Sequence, residues 1–147
     1  MSPESTHSLK VGDVLDEIES HPFITVSVNT PLEEVAAQVR KHPDARSIFV
    51  KDESGHLKGA ISIGRLIRTL TATRTGGEFS TRRLMRCLTC SHAGDIMTKE
   101  LLFATPDQQI DEVIDRMLQG NIKEIPVLDK KGNIISNAGI LDLWSRI

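Results

Sequence analysis

The sequence predicts an α/β fold of the α+β kind, two β-α-β-β-α repeats packed as a pseudo-twofold pair, and three observations predict it. The chain is written twice: "VGDVLDEI" from Val11 returns as "AGDIMTKE" from Ala93, and "SIFVKDESGHLKGAISIGRLI" from Ser47 returns as "EIPVLDKKGNIISNAGILDLW" from Glu124. Between these anchors each copy carries an apolar stripe at i, i+3, i+4, i+7, the spacing of an amphipathic helix. Each copy then has two strand-like runs around a polar turn, with Asp52 and Gly55 answered by Asp129 and Gly132. Repetition at matching offsets carries the architecture, because any one piece alone is a weak signal.

The elements follow in order. Residues 1–10 are expected to be disordered, 11–72 to form the first repeat, 73–92 a basic linker, and 93–147 the second repeat. Each copy reads as helix, strand, helix, hairpin, helix. Leu32, Val35, Ala36 and Val39 make the first stripe, and Ile110, Val113, Ile114 and Met117 the second. Thr30, Pro31 and Glu33 read as a capping box with proline at the first helical position, and Thr105, Pro106 and Gln108 repeat it. Aligned on the two Thr-Pro pairs, Leu32 falls on Asp107, so the second stripe begins about one turn later. The segments "GRLIRTL" and "LDLWSRI" close the copies as helices. A unit of roughly sixty residues leaves one face of its small sheet poorly covered, so the two copies are expected to bury those faces against each other.

Composition narrows the function classes. With 39% hydrophobic and 26% charged residues and a net charge of -2, the chain reads as globular and soluble. No apolar run approaches the ~20 residues of a membrane span, and "MSPESTHSLK" lacks the charged-then-apolar pattern of a secretion signal, so no membrane and a cytoplasmic location are expected. The chain has no Tyr and one Trp, which disfavours stacking on single-stranded nucleic acid. Arginines 65, 68, 74, 82, 83 and 86 gather between Gly64 and His92 against Glu78 alone. Such a run is read first as a solvated linker face; a DNA or RNA partner held by Arg82, Arg83 and Arg86 is the less favoured alternative.

The openers "GDVL" and "GDIM", the "EIPVLDKKGN" hairpin and the segments "GAISIGRLI" and "SNAGILDLW" resemble a tandem pair of CBS domains, the regulatory module named after cystathionine beta-synthase. The resemblance spans almost everything from Val11 to Ile147. It implies binding of an adenosine-containing ligand such as AMP, ADP, ATP or S-adenosylmethionine between the repeats, and regulation of a partner protein that the sequence does not identify. It also implies a homodimer, and it does not imply catalysis. The family's ligand motif is Gly, two residues, Ser or Thr, two residues, Asp, at the junction of last strand and closing helix. Free amides and a hydroxyl there hold phosphate, and the acid accepts both ribose hydroxyls.

This chain splits the motif. The first copy has Gly59 and Ser62 but Arg65 in the acid position, and the second has Asp142 but Ser136 and Gly139 in the other two. Arg65 cannot accept a hydrogen bond, although it can grip phosphate. Asp142 is therefore the expected ribose acceptor, with Gly139 giving a ligand close approach to the backbone. The base would lie against the strands of the other repeat, at Thr25, Arg46, Ser47 and Ile48. Lys123 matches a position where members of the family place a phosphate contact. For each residue a bland reading stands beside this one: Asp142 as an acid placed favourably in a helix's first turn, Arg65 as a solvated or ion-paired cation, Lys123 as an exposed lysine. A ligand-free interaction or dimerisation module with relic motifs is the alternative function.

"RCLTCSH" places Cys87, Cys90 and His92 together, three of the four ligands that structural zinc takes. No fourth ligand stands nearby, and a lone CxxC is a weak signal, so two reduced cysteines packing a linker helix are preferred and no metal is assigned. No nucleophile elbow, phosphate-binding loop, dinucleotide fingerprint or HExxH occurs, which argues against an enzyme. His21 and His42 each precede a proline, where turns are the expectation.

Overall fold

The computed structural model describes residues 9–75 and 91–147, with side chains omitted at 73–75. Most of the basic linker, with Arg82, Arg83, Arg86, Cys87 and Cys90, lies outside the described residues, as does nearly all of the segment expected to be disordered. The elements are α1 (Val11–Val14), β1 (Phe23–Ser27), α2 (Leu32–Lys41), β2 (Ser47–Lys51), β3 (Leu57–Ile61), α3 (Ile63–Thr75), α4 (Ala93–Ile96), α5 (Ile110–Gln119), β4 (Glu124–Leu128), β5 (Ile134–Gly139) and α6 (Ile140–Trp144). The mixed α/β class is as the repeat predicts. The chain divides into two compact units, Pro22–Leu101 and the joined segments Met1–His21 and Leu102–Ile147.

In the unit Pro22–Leu101, β1 pairs in parallel with β2 and β2 antiparallel with β3. The α2 stripe is inward, with Leu32, Val35 and Ala36 buried and Val39 packed at the margin, over Ile48, Val50 and Ile61. Full burial of each such side chain stabilises by about 1.5–3 kcal/mol, which is what a ten-residue helix needs to persist. In the other unit β4 and β5 form an antiparallel hairpin, and Ile110, Val113, Ile114 and Met117 of α5 are all buried against Ile125, Val127 and Leu143.

The two hairpin turns are built alike. Asp52 Oδ1 accepts the N–H groups of Ser54 and His56, each at 2.9 Å, and Asp129 Oδ1 accepts those of Lys131 and Asn133, again at 2.9 Å. Gly55 and Gly132 take φ of 86° and 85°, a left-handed conformation that favours glycine. These bonds to backbone amides hold both carboxyls below the ordinary aspartate value.

Three features depart from the sequence expectation. First, each opener belongs to the unit of the other repeat: α1 joins Leu102–Ile147, and α4 joins Pro22–Leu101. The Val11 and Gly12 amides donate to the carbonyls of Gln108 and Pro106 at 2.9 and 2.8 Å, and those of Ala93 and Gly94 donate to Thr30 and Val28 at 2.8 and 2.9 Å.

Second, the expected capping boxes do not form in full, because the docked openers do their work. Leu32 N–H donates to Ser91 O and Ile110 N–H to Leu9 O, each at 3.0 Å, satisfying amides that a cap would otherwise serve. Thr30 Oγ1 instead accepts the Ser27 N–H at 2.9 Å, and Pro31 is the N-cap rather than the first helical residue. In the second copy only Gln108 reaches back, its Oε1 accepting the Thr105 N–H at 3.2 Å. The acids of the openers are the working caps: Asp13 Oδ2 accepts the Lys10 N–H at 2.9 Å, and Asp95 Oδ2 those of Ser91 and His92 at 3.0 and 2.9 Å.

Third, the strand before α5 shrinks to a single parallel bridge between Ala104 and Val127. Ala104 N–H donates to Pro126 O at 2.9 Å, and Leu128 N–H to Ala104 O at 2.8 Å. Extending this ladder either way requires an N–H at Pro126 or at Pro106, and neither proline has one. The first repeat has Phe49 where the second has Pro126, and its β1 pairs along five residues.

Candidate functional site

The junction of β5 and α6 carries Asp142 one turn into the helix, with Gly139 as its N-cap in extended backbone, φ -86° and ψ 145°. Lys123, at the entrance of β4, is tied to this junction through its carbonyl, which accepts the Ile140 N–H at 2.8 Å. Its side chain is exposed. Three residues singled out in the sequence, Lys123, Gly139 and Asp142, are thus brought together by the crossing of β4 and β5.

The Asp142 carboxylate is 40% exposed and already engaged: His21 Nε2 lies 2.9 Å from its Oδ2. The other ring nitrogen, Nδ1, stands 3.4 Å from Oε1 of Glu124, an oxygen buried without a hydrogen-bond partner among the described residues. His21 is held there by its backbone. Its N–H donates to Asn137 O at 2.9 Å, and Asn137 N–H donates to Ser20 Oγ at 3.0 Å, so the Ser20-His21 step runs along β5. A Cβ on Gly139 would fall 2.5 Å from His21 Nε2 and 3.1 Å from Asp142 Oδ2. The missing side chain at 139 is the space the imidazole fills.

Glu124 and His21 were not legible as site residues. Standing before Pro22, His21 carries the local signal of a turn residue, and its partner lies 121 positions away. The signal available was indirect: glycine at a position where the motif asks for a hydroxyl leaves room for something else.

The other sequence-derived candidates lie in the unit Pro22–Leu101. Ser62 Oγ accepts the Arg65 N–H at 3.1 Å, so this hydroxyl caps α3, and Arg65 is exposed in the first turn. Gly59 is filled from within its own unit, for a Cβ there would lie 2.5 Å from the Thr98 carbonyl. Thr25 is exposed on β1 and Arg46 exposed before β2, Ser47 is half-buried, and the Ile48 side chain is committed to the core. Thr25 lines a pocket of about 410 Å³ beside the end of α2, together with Lys41, His42 and Asp44.

His92, the described member of the CxxC constellation, is partnered locally, with Nδ1 2.7 Å from Ser91 Oγ and 3.8 Å from Asp95 Oδ2. Among the described residues no group of three or more His, Cys, Asp or Glu could hold a metal ion. Among them, too, no helix is long and apolar enough to cross a membrane.

Comparison with known proteins gives these features a context. A family model described as CBS domain matches residues 11–72 and 93–142. A homoserine O-acetyltransferase of Methanococcoides burtonii is 29% identical over 126 residues, covering 83% of this chain and 24% of that protein. The chain spans about a quarter of the length of the curated relatives it matches. Among solved structures, a CBS domain-containing protein from Thermotoga maritima is 26% identical with a TM-score of 0.67, over 94% of this chain and 93% of that one. A CBS domain pair in complex with 5′-methylthioadenosine and S-adenosyl-L-methionine has a TM-score of 0.63 at 24% identity, over 92% of this chain and 93% of that one, a likeness of fold.

Proposed function

This chain belongs to the CBS domain family, and from that premise we propose that it is a regulatory module that senses an adenosine-containing ligand and relays its binding to a partner protein. The observation that carries the reading is Asp142, a half-exposed carboxylate at the junction of the last strand and closing helix, where the motif places the ribose acceptor. A carboxylate offers two oxygens and no donor, which suits a ribose diol. A neighbouring fold that holds two adenosyl ligands supports the ligand class. Lys123, adjoining the same junction, is the proposed phosphate contact. Arg65 leaves the first copy's equivalent position without an acceptor. Thr25, Arg46, Ser47 and the backbone at Ile48 are the proposed surface for the base, with Ser62 beside Arg65 as a secondary phosphate contact. The setting we assign is a cytoplasmic homodimer, and the relay requires a ligand that prefers one pose of the repeats over another.

Calorimetric titration with AMP, ADP, ATP and S-adenosylmethionine tests the reading. At least one is expected to bind wild type and to be lost in Asp142→Asn. Binding of none of the four would refute it.

A second reading is a ligand-free interaction or dimerisation module. What favours it is that Asp142 is engaged by a side chain of its own unit and that Leu118, Leu141 and Trp144 expose apolar surface on α5 and α6. It predicts a dimer whose melting temperature is indifferent to every nucleotide.

A further inference from the structure

We infer that His21 is an internal competitor for the ribose acceptor: its imidazole occupies the approach to Asp142, and an adenosine ligand must turn it out before the carboxylate is available. This rests on the reading of Asp142 as that acceptor. Three observations support it. The ring takes Oδ2, one of the two oxygens a diol requires, at 2.9 Å. It stands in the space over Gly139, where a ligand would come closest to the backbone. And it is 37% exposed, so it can swing into solvent without opening the core.

The backbone and the side chain of His21 have separate duties. The N–H bond to Asn137 O and the Ser20 Oγ contact keep the step against β5 whatever the ring does. The ring itself lies between two carboxylates, and a neutral imidazole has a single N–H to give them. Its displacement exposes Asp142 for exchange with a ligand hydroxyl while Glu124 stays half-buried in β4. The apparent affinity of the site is then the intrinsic affinity scaled by the fraction of molecules in which the ring is out.

The test is calorimetry with the same four adenosine ligands on wild type, His21→Ala, His21→Ser and the double variant His21→Ala/Asp142→Asn. Both single variants remove the ring and keep the backbone N–H that donates to Asn137 O. Both single variants are expected to bind about three- to tenfold tighter than wild type, and the double variant not at all. In wild type, ligand addition is expected to move the His21 imidazole NMR signals. Wild-type binding that is unchanged or weakened in both single variants overturns the competitor and leaves the proposed function standing. Binding by none of the proteins, or binding that survives in the double variant, overturns both.

Discussion

The Gly12 amide donates to the Pro106 carbonyl at 2.8 Å, and a Cβ on Gly12 would lie 3.0 Å from both Pro106 Cβ and Pro106 O. The glycine of the opener is a close-approach position: the helix docks by bringing its backbone onto the loop before α5. Gly94 meets Val28 in the same manner, with a Cβ 3.1 Å from the Val28 carbonyl. Gly12→Val and Gly94→Val are each expected to destabilise the fold by about 1–3 kcal/mol, since the contact is with backbone that cannot step aside. Thermal denaturation measures this, and an unchanged melting temperature would contradict the docking.

The two hairpin acids predict an acid-sensitive component of stability. Asp52 and Asp129 sit below the ordinary aspartate value in the folded chain, because backbone N–H groups stabilise their charged form. As the pH falls below about 4 the unfolded chain takes up protons first, so this stabilisation is fully present above that range and is lost as pH falls through the lowered folded values. Asp52→Asn/Asp129→Asn keeps an acceptor oxygen at each turn but removes the titration. Its melting temperature is expected to decline less steeply than wild type on acidification, in parallel melts from neutral pH downward.

The bridge at Ala104 predicts a gain of structure on substitution. Pro126→Val supplies the N–H that the ladder lacks toward Leu102. Amide hydrogen exchange is expected to show the new amide at 126 protected, with the Ala104 and Leu128 amides at least as slow as in wild type. An unprotected amide at 126 would show that something other than the missing donor ends the strand.

The asymmetry between Asp142 and Arg65 predicts stoichiometry. One adenosine ligand per chain is expected by calorimetry. Arg65→Asp places an acceptor one turn into α3, beside the Ser62 cap, and is expected to raise the count toward two. A wild-type value of two would show that ribose can be held without the acid.

What the sequence discloses and what it hides divide by locality. Asp52 with Gly55, and Asp129 with Gly132, are legible because the acid acts on amides two and four residues on, and the glycine φ is fixed by the same turn. The α5 stripe is legible because burial follows helical period, and Ile110, Val113, Ile114 and Met117 are all inside. The first capping box is misleading because Thr30 and Glu33 have the right spacing, while the free amide at the helix start, that of Leu32, is served by Ser91, some sixty residues away. Asp142 was singled out by its place in a repeat. His21 was not, because nothing in a local pattern says which distant side chain will fill the space above Gly139.

The prolines that shorten the strand before α5 also decide what is left at the end of its ladder. On β4 the backbone groups of Pro126 and Leu128 turn toward Ala104, which gives its N–H to Pro126 O and takes the Leu128 N–H. From Ile125 to Leu128 this strand is buried, so an amide at 126 without a partner would be costly, and the pyrrolidine ring carries none. The ring that shortens the sheet also removes the donor its end would have stranded.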